Sequence, residues 1–183
     1  MRIRWDVVIP LCVIAMAACA PIGSAPAGDD LLMTAFDPKE WTVANQSANQ
    51  RQRIMEFVPP GHQITAWTEL MTIQTFVKPA PPPDIDGLAA SAFEPLSKRC
   101  PGRVVWNVVR RWSGTEIEQA SVLYEWKVKD CPPEADQHEV ARIVYGKFTI
   151  FRLAYAAKTG DLEPAKRDKW IRELSGARIV GGK

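Results

Sequence analysis

The chain is poor in the residues that most site chemistry uses. It has 2 histidines, His62 and His138, and 4 cysteines among 183 residues. A structural zinc site needs four well-spaced nitrogen or sulfur ligands, and two distant histidines do not supply them. Gln137-His138-Glu139-Val140-Ala141-Arg142 opens like the zinc-protease H-E-x-x-H pattern. Arg142 stands where the second ligand belongs, so the stretch reads as a polar entry to a strand. Asp84-Ile85-Asp86-Gly87 is half of a calcium loop without its third acid or its distant Glu. Helix capping accounts for those acids. No nucleophile elbow, phosphate loop or dinucleotide fingerprint occurs. No cofactor is expected.

An excess of one charge is also lacking. Lys and Arg number 23 against 21 Asp and Glu, a net charge of +2. A near-neutral domain does not present the clustered positive field that nucleic-acid binding requires. Long apolar runs are missing as well. The longest, over residues 7–18, is interrupted by Pro10 and falls short of the roughly 20 residues that cross a bilayer as a helix. No internal repeat is visible.

The N-terminus does carry a message. Met1-Arg2-Ile3-Arg4 is basic, residues 7–18 are apolar, and Ala15, Ala17, Ala18, Cys19 and Ala20 are small. This is the order of a secretory signal, with Asp6 as an acid out of place. The reading divides the chain into a signal peptide at 1–18, a flexible tether at 19–35 and one domain at 36–183. Small residues and prolines over 20–30 suit the tether.

Met16-Ala17-Ala18-Cys19 resembles the lipobox of bacterial lipoproteins, with Met where Leu is usual. The resemblance implies cleavage before Cys19, acylation of its sulfur and a membrane anchor facing the periplasm. Ala20 in place of Asp favours the outer membrane by the same analogy. Two or more acyl chains hold a protein stably where one does not. Ordinary cleavage at Ala18-Cys19-Ala20 is the alternative, and it gives a soluble periplasmic protein.

Export makes the remaining cysteines informative. Cys100 and Cys131 bracket two runs with period-two alternation, around Val104, Trp106 and Val108 and around Val122, Tyr124, Trp126 and Val128. Ser113-Gly114 suits a tight turn between them. An antiparallel hairpin would bring its ends together and let Cys100 and Cys131 pair. Such a loop would add roughly 3–4 kcal/mol in the chain-entropy model. The alternative is a pair of buried free thiols.

Further strands are expected near 41–43, over 51–58 and over 67–77, with a polar loop at 45–50. Lys78 to Pro83 is proline-rich and cannot continue a sheet. Ile85, Leu88, Ala89, Ala92, Phe93 and Leu96 recur at helical spacing over 84–99. A hairpin follows over 138–145 and 148–157, with Gly146-Lys147 as a Gly-first turn. An amphipathic helix over 163–177 buries Leu162, Trp170, Ile171 and Leu174. The order is β-β-β-α-β-β-β-β-α. Short connections force antiparallel neighbours, so the expected fold is α+β: an antiparallel sheet of six or seven strands flanked by two helices.

This layout, with MEFVPPGHQITAWTELMTIQTF over residues 55–76, resembles the PsbP-like family. The resemblance implies a sheet sandwiched by helices, a role in binding protein partners or in assembly, and no catalytic motif to carry over. The leading expectation is therefore a non-catalytic envelope lipoprotein that binds an envelope protein. A periplasmic carrier of a small apolar ligand is the second. A hydrolase using scattered carboxylates, with Glu116 and Glu139 as its testable residues, is the third.

Two surface features bear on partners. Trp67, Arg110 and Trp112 form the candidate partner-binding set, since tryptophan with arginine is a typical anchor. Trp106, Trp126 and Trp170 fit the core, and Trp41 is expected to be partly exposed. Arg51, Arg53, Arg110, Arg111, Lys127 and Lys129 would make a basic patch for anionic lipid or glycan if their strands adjoin. Ordinary charged sheet surface is the plainer reading.

Overall fold

The computed structural model describes residues 30–34, 40–114 and 119–181. The signal peptide, Cys19 and most of the expected tether lie outside them, as does Glu116. Seven strands form one sheet: β2 (Thr42–Ala48), β3 (Gln52–Val58), β4 (Glu69–Val77), β5 (Val104–Trp112), β6 (Ser121–Val128), β7 (Gln137–Tyr145) and β8 (Thr149–Ala157). Their spatial order is β2-β3-β4-β8-β7-β6-β5, with every neighbouring pair antiparallel. The expected α+β class holds. Sequence neighbours pair through short connections except at β4–β8, the seam that joins the two halves of the sheet.

Helices cover the sheet on both faces. On one face α1 (Ile85–Ser91) and α2 (Glu94–Arg99) bury Ala89 and Phe93 against Tyr124, Trp126, Ile143 and Ala154. On the other, α3 (Pro164–Ser175) sets Trp170 and Leu174 among Leu123, Val140, Leu153 and Tyr155. Residues 123, 125 and 127 of β6 face α3, while 122, 124, 126 and 128 face α1 and α2, the alternation that a two-sided core demands. Strands β7 and β8 sit centrally and are buried almost throughout.

The single helix expected over 84–99 is two. Asp84 caps α1 by accepting from the Gly87 amide at 2.7 Å. Pro95 lies in the first turn of α2; its ring removes a donor and clashes with a preceding turn, so α1 cannot run through it. The residues expected to be a loop at 45–50 mostly extend β2, which turns at Asn49. The tight turn at Ser113-Gly114 is also corrected. Trp112 pairs with Ser121, so the connection runs over 113–120.

Two strands are additional. β1 (Asp30–Met33) pairs with β9 (Arg178–Gly181) in an antiparallel ribbon. Asp30 to Met33, counted within the expected tether at 19–35, are therefore part of the fold. Asp30 is buried, and its Oδ2 accepts from the amides of Phe148 at 2.8 Å and Thr149 at 3.0 Å. This contact explains Gly146. The residue is not in the left-handed region that a Gly-first turn needs. A Cβ there would lie 2.3 Å from Asp30 Oδ2, so glycine is required by close approach.

Cys100 and Cys131 are joined by a disulfide, with their Cα atoms 5.8 Å apart. It closes the open end of the β5–β6 hairpin beneath α2.

Candidate functional site

The side chains with the best chemical credentials are engaged with one another. His138 is buried on β7 facing α3. Its Nδ1 accepts from the Leu162 amide at 3.0 Å, so the neutral ring carries its proton on Nε2, which faces Glu125 Oε2 at 3.4 Å. Glu125 also takes a two-pronged bond from Arg167, at 2.6 and 2.8 Å. Burial alone would raise the Glu125 carboxyl, but hydrogen bonds from His138 and Arg167 outweigh it and hold it at about 2. Neither ring nitrogen is available to take a proton from a substrate while these bonds stand. Beside them Asp161 bridges Lys127 and Lys129, at 2.6 and 2.9 Å. Those two lysines hold its exposed carboxyl at about 2.

Glu139, one of the carboxylates of the hydrolase reading, points to the α1 and α2 side instead. It is buried and accepts from Trp126 Nε1 at 2.7 Å and from Arg152. Arg152 in turn donates to the Tyr124 hydroxyl at 3.0 Å. Burial would weaken the Arg152 charge, but Glu139 and Tyr124 more than compensate and raise its pKa. The chain Trp126–Glu139–Arg152–Tyr124 is an internal polar network, since each member's partner belongs to the same core.

Arg142 has a distinct task. The residue that takes the place of a second zinc ligand is buried, and its guanidinium donates to the carbonyls of Leu174, Ser175 and Ala177 at 3.0, 2.7 and 2.8 Å. It also donates to Ser121 Oγ at 2.9 Å. The last carbonyls of a helix have no partner within it, and here one side chain from the sheet supplies them. Burial, and then Arg110, lower the Arg142 pKa to about 10.

The candidate partner-binding set separates in space. Trp112 packs against the α3-side core between two guanidinium groups, 4.7 Å from Arg110 and 4.1 Å from Arg142. Trp67 lies at the other end of the strands, before β4, with Lys158 Nζ 4.7 Å from its ring. Arg110 and Trp112 thus meet, and Trp67 does not join them. The six basic residues do not gather either. Arg51 and Arg53 belong to the β2–β3 end of the sheet, whereas Arg110, Arg111, Lys127 and Lys129 belong to the β5–β6 end. His62 is exposed and stands 3.4 Å from Thr68 Oγ1. Asp86 pairs with Arg111 at 2.9 Å.

Two groups of exposed large apolar residues stand out, in places that the sequence did not single out. One is the outer edge strand β5, where Trp106 is 40% and Val105 57% exposed. Trp106 was expected in the core. Its ring leans on Phe93 at 5.2 Å, but β5 has no strand beyond it, and this leaves the indole half open to solvent. The other is a cleft of about 440 Å³ on the α3 side, between β1 and the β3–β4 wing. Its floor is Ile73 and Phe151, its wall Leu32, and its mouth carries Leu31 at 62% and Val77 at 64% exposure. Arg51 and Arg53 stand on the rim. Asn49 Oδ1 accepts from the amides of Arg51 and Gln52 at 2.8 and 2.9 Å, which fixes the turn that presents them. Among the described residues neither guanidinium has an ion pair.

Among the described residues, no helix is long and apolar enough to cross a membrane, and no group of three or more His, Cys, Asp or Glu side chains is placed to hold a metal. No family model and no curated protein sequence matches the chain. The structure is similar to the solution structure of cyanobacterial PsbP (CyanoP) from Synechocystis sp. PCC 6803. The TM-score is 0.47 at 10% sequence identity, over 90% of this chain and 99% of that chain.

Proposed function

We propose that this chain is a non-catalytic lipoprotein of the cell envelope, anchored through Cys19, whose domain binds a protein partner or serves in assembly. The observation that carries the reading is the open edge of β5. An outer strand offers a row of unpaired amides and carbonyls to another chain. Here its first half, Val104 to Val108, carries no charge, and Val105 and Trp106 are exposed. Arg110 and Arg111 and the bulge after Val108 guard only the second half. The pairing of an extended segment with such an edge is a common mode of recognition. The engagement of His138 and Arg167 with Glu125, and of Glu139 with Trp126 and Arg152, supports the absence of catalysis.

Site-specific photo-crosslinking in intact cells tests this. A probe at Val105 is expected to capture one defined envelope protein, and a probe at Asp168 on α3 is not. Loss of the adduct on Trp106→Lys would place the contact at the edge. Identical adducts from both probe positions would refute the reading.

A second reading, a carrier of a small apolar ligand, is favoured by the cleft beside β1. Its volume of about 440 Å³ lies within the range of roughly 300–1,000 Å³ usual for small-molecule sites.

A further inference from the structure

The cleft has a polarity that narrows what it can hold, and the inference drawn from it rests on the carrier reading. Leu32 and Ile73 line its interior above Phe151, with Thr75 between Ile73 and Val77 on the same face of β4. Leu31 and Val77 continue that surface out to the mouth, where they remain more exposed than large aliphatic side chains normally are. Positive charge then sits at one side only. Arg51 and Arg53 follow the β2–β3 turn and have no carboxylate partner among the described residues. The lining's one carboxylate, Asp30, does not neutralise them, because its Oδ2 is committed to the Phe148 and Thr149 amides and its side chain is buried.

An apolar trough with two free cations at its rim is the complement of one class of molecule. We propose that the cleft binds a single-chain amphiphile with an anionic head. The alkyl chain lies along Leu31, Leu32, Ile73 and Val77, and the head is met by Arg51 and Arg53. Guanidinium groups suit this because they fork onto oxyanions and are cheaper to desolvate than ammonium groups. A neutral apolar molecule would use the trough but leave the cations unanswered. A short anion would use the cations but not the trough.

The test uses the purified full chain, stripped of bound lipid, with laurate and its uncharged analogue dodecanol as probes in titration calorimetry. Laurate is expected to bind one to one and more tightly than dodecanol, with an affinity that falls as salt rises. Arg51→Gln together with Arg53→Gln is expected to weaken laurate about tenfold, the loss of two exposed charge pairs, and to leave dodecanol unchanged. Both arginines are exposed, so the variant should fold like the parent. Leu31→Asp at the mouth is expected to weaken both probes. Equal binding of laurate and dodecanol, or laurate binding indifferent to the double substitution, would overturn the anionic-head assignment and leave the carrier reading standing. No binding of either probe would end both.

Discussion

Replacing Arg142 by methionine tests how α3 is ended and how β9 is held. Methionine keeps the unbranched apolar stem of the side chain and discards its charge and donors. The guanidinium makes four hydrogen bonds, three to carbonyls at the end of α3 and one to Ser121 Oγ. The Leu174 carbonyl keeps the Ala177 amide at 3.2 Å, but the carbonyls of Ser175 and Ala177 lose their side-chain donor, at about 1–3 kcal/mol each. Against this stands the cost of burying the charge. Burial lowers the Arg142 pKa from the ordinary arginine value to about 10, and at 1.36 kcal/mol per unit that is worth about 3 kcal/mol. Adding the lost Ser121 bond and the contact with the Trp112 ring, the net destabilisation of Arg142→Met is about 2 kcal/mol. Arg142→Lys is the sharper case. It keeps the buried charge, yet a single ammonium cannot span four acceptors, so it should be at least as damaging as methionine. Guanidinium chloride unfolding at neutral pH measures both. Hydrogen exchange should show the last turn of α3 and the amides of Ile179 and Val180 losing protection while β3 keeps its own. A lysine variant more stable than the methionine variant, or a methionine variant within about 0.5 kcal/mol of the parent, would refute the reasoning.

Three other outcomes are expected. Substituting Cys100 and Cys131 together by alanine opens a loop with a sequence separation of 31 and should cost about 3–4 kcal/mol, read as a lower denaturation midpoint; thiol titration of the native parent should find neither sulfur free. Glu125 is held at about 2 against an ordinary 4.5, so its contribution is complete above pH 4.5 and disappears as pH falls to 2. Unfolding measured across that window should show the parent losing roughly 3 kcal/mol that Glu125→Gln does not lose. Glu139→Leu leaves Arg152 buried without its carboxylate and should cost roughly 3–5 kcal/mol, while adding Arg152→Leu should recover a substantial part; thermal melts of the three proteins check this, and a double variant no better than the single one would refute it.

The strands were legible where the local pattern is strong. Val122 to Val128 and Met71 to Phe76 alternate clearly, and β6 and β4 stand where that alternation places them. What failed to show was whatever depends on residues distant in the chain. β1 and β9 have four residues each and are strands only because they find one another across most of the sequence. Trp106 obeys the alternation of a core residue, but alternation assigns a face and not a place in the sheet, and β5 lies at the margin. Pro95 sits within a good helical period, where the ring overrides the apolar spacing. Arg142 signalled only a missing zinc ligand; its partners are contributed by a helix more than 30 residues later, at a separation of 32 for Leu174. The Arg51–Arg53 cleft was half visible. The basic residues were noted, but β1, which forms the opposite wall, was counted as tether.

The β4–β8 seam has a consequence for how the chain can be cut. Nine residue pairs, from Glu69 with Ala157 to Val77 with Thr149, hold two halves whose only covalent crossing within the sheet region begins at Lys78. The crossing passes through Pro79 to Pro83, exposed throughout. Cleavage there severs no ladder and opens no core, so the fragment carrying β1 to β4 and the remainder, held also by the β1–β9 ribbon, should stay associated as a nicked complex, and separately produced halves should reconstitute one another.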